Sequence, residues 1–136
     1  MKRILSLSLT AVFATSAFAQ SSVNTNGSRY SVLEDVTGAW CQFCPDGTVF
    51  QNNVMAANPK VIGAALHNND KMSFADGNTI MASPNLVCGY PGGLIDRKSF
   101  STAYGGSGCT AMTSVNRSYW SQVTSAQTAE TPKWDI

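Results

Sequence analysis

The chain has 136 residues, 43% hydrophobic and only 12% charged, with nine Lys and Arg against eight Asp and Glu. Lys2 and Arg3 supply two of the nine, so beyond them the formal charge of +1 becomes −1. With no basic stripe and no acidic tail, the composition argues against nucleic acid or an anionic membrane as a partner.

The first nineteen residues read as a secretory signal peptide. Lys2-Arg3 forms a short basic region, Ile4 to Phe18 is mostly apolar, and Ala17-Phe18-Ala19 is a small-x-small cleavage site before Gln20. A membrane anchor is the competing reading, but the apolar run is too short and too rich in Ser and Thr. The residue directly after the cleavage site is Gln20 and not cysteine, which argues against a lipid anchor, and no second run is long enough to span a bilayer. Roughly 115 residues remain, enough for one domain with a modest core. Residues 20–29 are a polar, flexible lead-in, 30–128 the folded domain and 129–136 a C-terminal tail. All four cysteines fall in the exported part, where disulfides form and persist.

From Tyr30 a strand begins with apolar residues on both faces, Val32 and Val36 on one and Leu33 on the other. Such strands are central and covered on both sides, as in parallel sheets. Asp35 shares the face of Leu33, which buries a carboxylate and is costly without a partner or a purpose. Glu34 points the other way.

Trp40-Cys41-Gln42-Phe43-Cys44-Pro45 lies where this strand hands over to a helix running from Asp46 to Ala57. There the exposed first sulfur falls at the helix N-terminus, whose unpaired N–H groups and dipole stabilise a thiolate. The second falls one turn in, placed to attack a mixed disulfide made by the first. Cys41 is thus the candidate nucleophile and Cys44 the resolving thiol. Asp46 opposes the Cys41 thiolate. An inert disulfide is the competing structural reading. A zinc half-site is a weaker one, since there is one His and no second C-x-x-C, and c-type haem requires His at position 45.

Phe50, Val54 and Ala57, with Val49 beside them, recur at helical spacing, and Asn58-Pro59 stops the helix. Val61 to Leu66 reads as a second buried strand, ending at His67 in a polar loop. Ser73 to Met81 holds a short helix. Gly89-Tyr90-Pro91-Gly92-Gly93 is a turn before strand Leu94-Ile95, with a hairpin partner around Ser101 to Tyr104. After the loop Gly105 to Gly108, Thr110 is an N-cap, and Met112, Val115, Tyr119 and Val123 form an amphipathic stripe ending near Ala126. The order predicts an α/β sandwich around a small mixed sheet. Asn26-Gly27-Ser28 and Asn116-Arg117-Ser118 match the N-glycosylation pattern, a short signal of little weight.

Trp40-Cys41-x-x-Cys44 after the first strand and Tyr90-Pro91 before a later one resemble the thioredoxin fold. More closely, Leu33 to Pro45 and Gly89 to Arg97 resemble the thioredoxin-like domain of the "Omp twenty-eight"-related outer-membrane-protein family, and His67 before a polar loop fits it. The resemblance implies a cis Pro91 facing the cysteines, with Tyr90 and Pro91 shaping a substrate groove beside Trp40. It implies Asp35 as the buried acid that relays the proton of the resolving cysteine, in agreement with its reading as a desolvated carboxylate. His67 is a candidate for tuning Cys41 or shuttling a proton, or else an ordinary loop residue. Family members usually continue into a further β-rich region, whereas this sequence ends at Ile136, so a single-domain or truncated member is expected. Cys88 and Cys109 are expected to form a structural disulfide, with a second redox pair as the sharper alternative; the sequence permits three connectivities. The expectation is an exported thiol–disulfide oxidoreductase, periplasmic, outer-membrane-associated or extracellular, acting on protein thiols or disulfides with a redox partner protein and no cofactor. The alternative is a non-catalytic cell-envelope module with an inert disulfide.

Overall fold

The computed structural model describes residues 29–100, 102–105 and 113–132. The predicted signal peptide, Asn26-Gly27-Ser28, Gly106 to Met112 with Cys109 and Thr110, and the tail from Lys133 lie outside them.

Three strands, β1 (Ser31–Thr37), β2 (Val61–His67) and β3 (Gly92–Ile95), form a mixed sheet in the order β2-β1-β3. β1 is central, parallel to β2 with Leu33 opposite Gly63 and antiparallel to β3 with Leu33 opposite Ile95. Three helices accompany them: α1 (Cys44–Ala57), α2 (Ala75–Met81) and α3 (Trp120–Ala129). This is the predicted α/β arrangement, compatible with a thioredoxin-like sandwich.

The alternation of β1 divides the core. Leu33 faces a cluster with Val54 of α1, Val61, Ile95, Val115, Trp120 and Val123. Val36 faces the other way, packing with Leu66, Leu94 and Met81 of α2. Trp120 is the largest fully buried side chain; its indole N–H donates to the Val115 carbonyl at 2.8 Å. A Cβ on Gly93 would collide with that indole, so the glycine is what lets α3 close onto the sheet.

Several expectations are corrected. β2 is an edge strand rather than a buried one: Ile62 is 54% exposed and Ala64 and Ala65 are exposed. An apolar run reports hydrophobicity, not whether a neighbour strand is present. The segment around Tyr104 is a 3-10 turn (Thr102–Tyr104), and the partner on the outer side of β3 is Val115, which exchanges hydrogen bonds with Gly93 at 2.8 and 2.9 Å. Val115 and Tyr119 therefore precede the last helix, which begins at Trp120 and buries Trp120, Val123, Thr124 and Gln127. In α1 the buried face is Cys44, Gly47, Gln51 and Val54; Phe50 is half-buried, while Val49 and Ala57 point outward.

Charged contacts fix the ends of the sheet. Asp96 and Arg97, after β3, both take left-handed backbone conformations (φ 50° and 48°), uncommon for residues with a Cβ. Each is held: Asp96 accepts from Ser31 Oγ, the Val32 amide and Arg29, and Arg97 makes a bidentate pair with Glu34. Arg29 also pairs with Glu130, tying the start of β1 to the end of α3. Glu34, Arg97, Val32 and Asp96 line a cavity of about 380 Å³ on the sheet face away from α1.

Candidate redox site

The site is built at the edge where β1 and β2 end, the place where open α/β sheets present their ligand sites. Beyond Thr37 the chain turns sharply: the Cys41 amide donates to the Gly38 carbonyl at 3.0 Å, and the Cys44 amide to the Cys41 carbonyl at 3.2 Å. Cys41 and Cys44 are joined as a disulfide with their Cα atoms 5.4 Å apart. The helix starts at Cys44, so Cys41 occupies the turn before it, not the first helical residue. Both sulfur-bearing residues are buried, Cys41 at 8% and Cys44 at 3% exposure, which corrects the expectation of an exposed first sulfur. Cys41 is still the more accessible of the two. Pro45 follows as the second helical residue, where its missing N–H costs nothing.

The loops after β1 and β2 are tied together. The Ala39 amide donates to Asp70 Oδ2 at 2.7 Å, and Trp40 Nε1 donates to the Asn68 carbonyl at 2.7 Å. The indole folds back over Gly38, where a Cβ would lie 2.6 Å from Nε1. Trp40 nevertheless remains 53% exposed, with Phe43 at 55%, so two aromatic side chains flank the disulfide at the surface. Tyr90 meets Trp40 edge-on with ring centroids 5.1 Å apart.

The Tyr90–Pro91 bond is cis, and Pro91 is buried. A Cβ on Gly47 would lie 2.7 Å from Pro91 Cβ and 3.5 Å from Asp35 Oδ2. Tyr90 thus touches the residue before Cys41, and Pro91 packs on the residue three after Cys44. The two lie across the cysteine turn.

Asp35 is 1% exposed, and its Oδ1 has no hydrogen-bond partner, the one such buried side-chain atom among the described residues. Burial pushes its carboxyl up to about 6, against the opposing charge of His67. Its other oxygen faces Gly47, which lies one helical turn from Cys44 on the same buried face of α1. The carboxylate therefore lies against the buried face of α1 that also carries Cys44. Glu34, on the opposite face of β1, is occupied by Arg97.

His67 ends β2 and its Nδ1 lies 2.8 Å from Asp70 Oδ2, a hydrogen bond the carboxylate accepts. Asp70 also accepts from the Ala39 and Met72 amides, and these bonds hold its carboxyl down to about 2. His67 is thus bound into the loop tie, while its charge acts on Asp35. At the helix start, Arg117 donates to Asp46 Oδ2 at 2.7 Å, with its guanidinium carbon 6.0 Å from the centre of the Phe43 ring. Cys88 is disulfide-bonded; its expected partner Cys109 lies outside the described residues.

Sequence reasoning missed Gly47, Asp70 and Arg117. A glycine early in an otherwise helical run is a local signal for close backbone approach. Asp70 and Arg117 act through contacts that no local pattern announces. Among the described residues, no group of three or more His, Cys, Asp or Glu is arranged to hold a metal ion, and no helix is long and apolar enough to cross a membrane. Comparison with protein-family models, curated proteins and solved structures finds no match.

Proposed function

We propose that this domain is a thiol–disulfide oxidoreductase acting on protein thiols and disulfides through Cys41 and Cys44. The observation that carries the reading is the disulfide at the β1–α1 junction, set over a buried carboxylate with an unsatisfied oxygen. A structural staple has no use for such a group, because burying an unpartnered acid costs stability. A redox pair does. In the reducing direction the Cys41 thiolate attacks a substrate disulfide, forming a mixed disulfide and expelling one substrate thiolate. Cys44 then yields its proton to Asp35 and attacks the Cys41 sulfur. The second substrate thiolate leaves and the Cys41–Cys44 disulfide re-forms. Two electrons pass to the substrate, and a dithiol partner protein returns them to the domain. In the oxidising direction each step runs in reverse. With its carboxyl near 6, Asp35 is a base matched to neutral pH.

Trp40, Phe43 and Tyr90 supply the apolar contact surface, and the Tyr90–Pro91 segment borders the groove through which a substrate chain reaches Cys41. The resemblance of Leu33 to Pro45 and of Gly89 to Arg97 to the "Omp twenty-eight"-related family supports this assignment. With the leader-like N-terminus it favours export to the cell envelope, where such a pair meets protein thiols.

The burial of both cysteines favours a second reading, a non-catalytic envelope module with a permanent disulfide. The equilibrium of the mature chain with glutathione separates the two, with Cys88→Ser/Cys109→Ser as a parallel sample. The oxidoreductase reading expects Cys41–Cys44 to exchange at an accessible potential and Cys41→Ser to abolish it. A pair that stays oxidised throughout the glutathione range while the fold depends on it overturns that reading.

A further inference from the structure

We propose that Arg117 is a positioning residue of the Cys41–Cys44 pair: by holding Asp46 in an ion pair at the first turn of α1, it cancels that carboxylate's field on the sulfurs and favours the dithiol. The proposal rests on the redox reading above and adds a residue to it.

Asp46 is the third residue of α1, two after Cys44. An acid there suits the positive end of the helix dipole, but the same positive end is what would stabilise a thiolate. An unpaired Asp46 therefore works against the reduced pair. Arg117 reaches it from a turn 71 positions further along the chain, donating Nε to Oδ2 at 2.7 Å and resting beside the Phe43 ring. Its side chain is not needed to build its own turn. The Ser118 amide donates to Asn116 Oδ1 at 3.0 Å, the Tyr119 amide to the Asn116 carbonyl at 2.9 Å, and the buried Trp120 anchors the start of α3. The guanidinium is thus left to act on the helix start.

The other titratable or charged groups around the cysteines come from different elements. Asp35 belongs to β1, His67 and Asp70 to the end of β2, and Tyr90 to the segment before β3. His67 and Asp70 pair with each other. Asp46 has Arg117 as its ion-pair partner among the described residues.

In the exchange to be measured, the domain's disulfide and two glutathione thiols give the domain's dithiol and one glutathione disulfide, two protons passing to the protein sulfurs. It is monitored at about pH 8.5, where an ordinary thiol is half ionised. Arg117→Met is expected to shift the equilibrium toward the domain's disulfide by about two- to fivefold. Arg117→Lys keeps the charge and stays near wild type. Asp46→Asn shifts the equilibrium the opposite way by a similar factor, and adding Arg117→Met in that background returns it to near wild type, because both charges of the pair are then gone. High salt reduces each shift. A double variant that stays well away from wild type, or no shift from either single variant, overturns the proposal. If wild-type Cys41–Cys44 does not exchange at all, the redox reading falls and takes the Arg117 role with it. If wild type exchanges and Arg117→Met does not move it, only the Arg117 role is lost.

Discussion

Replacing Asp35 with Asn removes a charge while keeping the shape, and the structure fixes how the effect depends on pH. In the unfolded chain this carboxyl ionises near 3.8; in the folded protein burial holds the proton until about 6. Between those values the folded state binds a proton the unfolded state has lost, so stability falls as pH rises. The loss is complete above about pH 6. A shift of roughly two units at about 1.4 kcal/mol per unit makes the total about 3 kcal/mol. Asn carries no such dependence. The cost of burying its amide is a constant offset that cancels when the two proteins are compared across pH. Denaturant unfolding of the oxidised wild type and Asp35→Asn, from about pH 4 to about pH 7, should therefore show the stability difference moving by about 2 kcal/mol of that total in favour of Asn. A difference that stays constant over that range refutes the reasoning. It would mean that Asp35 ionises as if solvated, and its role as the base for Cys44 would lose its physical ground.

Gly47→Ala should destabilise the domain by about 1–3 kcal/mol. An unhindered Gly→Ala change inside a helix would instead stabilise it by about 1 kcal/mol. The reversed sign arises because the new methyl meets the Pro91 ring at 2.7 Å, and thermal or denaturant unfolding of the oxidised protein reads it directly. Asp70→Asn should weaken the tie between the loops after β1 and β2, seen as faster hydrogen exchange at the Ala39 amide. The wild-type carboxyl is held down to about 2 from 3.8, so its stabilisation is present above about pH 4 and lost as pH falls toward 2. Acid unfolding should therefore separate the two proteins less at about pH 2 than at about pH 5.

The legible part of the sequence is the part that local spacing encodes. The alternation in Ser31–Thr37 identifies a central strand and places Asp35 on the face of Leu33. The C-x-x-C before an apolar run locates the redox turn, and Pro59 locates the end of α1. The errors arise where a pattern has two structural solutions. Val115, Tyr119 and Val123 fit a helical stripe, yet Val115 is drawn out as a partner for Gly93 and the helix waits for Trp120, whose burial governs that corner. Val61 to Leu66 is apolar enough for a core strand, but exposure depends on the sheet order, which its own composition does not contain. The helix expected from Asp46 begins two residues earlier, at Cys44, and the bond from the Cys44 amide to the Cys41 carbonyl closes a separate turn that carries Cys41 ahead of it. The Arg117–Asp46 and Asp70–Ala39 contacts span 71 and 31 positions, and no window-based reading can find them.

The distribution of unmet hydrogen bonding explains why the two cysteines are not equivalent. Around Cys41 the polar groups are engaged: the Ala39 amide with Asp70, the Trp40 indole with Asn68, and the Cys41 amide with Gly38. That side of the disulfide is tied down by hydrogen bonds and meets the surface through aromatic rings. Beneath the first turns of α1 the arrangement is the reverse: Asp35 carries a carboxyl oxygen held away from water with nothing to accept from. Filling that space with a larger residue at position 47 would separate the acid from the helix and press on Pro91, so one glycine lets both approach α1. Under the proposed redox reading, opening the disulfide would create an S–H donor at Cys44, on the face of α1 that also carries Gly47. In an intact disulfide the buried acid only costs stability, by the amount the pH dependence of Asp35→Asn measures. A permanent staple would have no reason to keep that cost, whereas the proposed dithiol would offer the carboxylate a donor, and the bias toward the reduced form would equal what that bond returns.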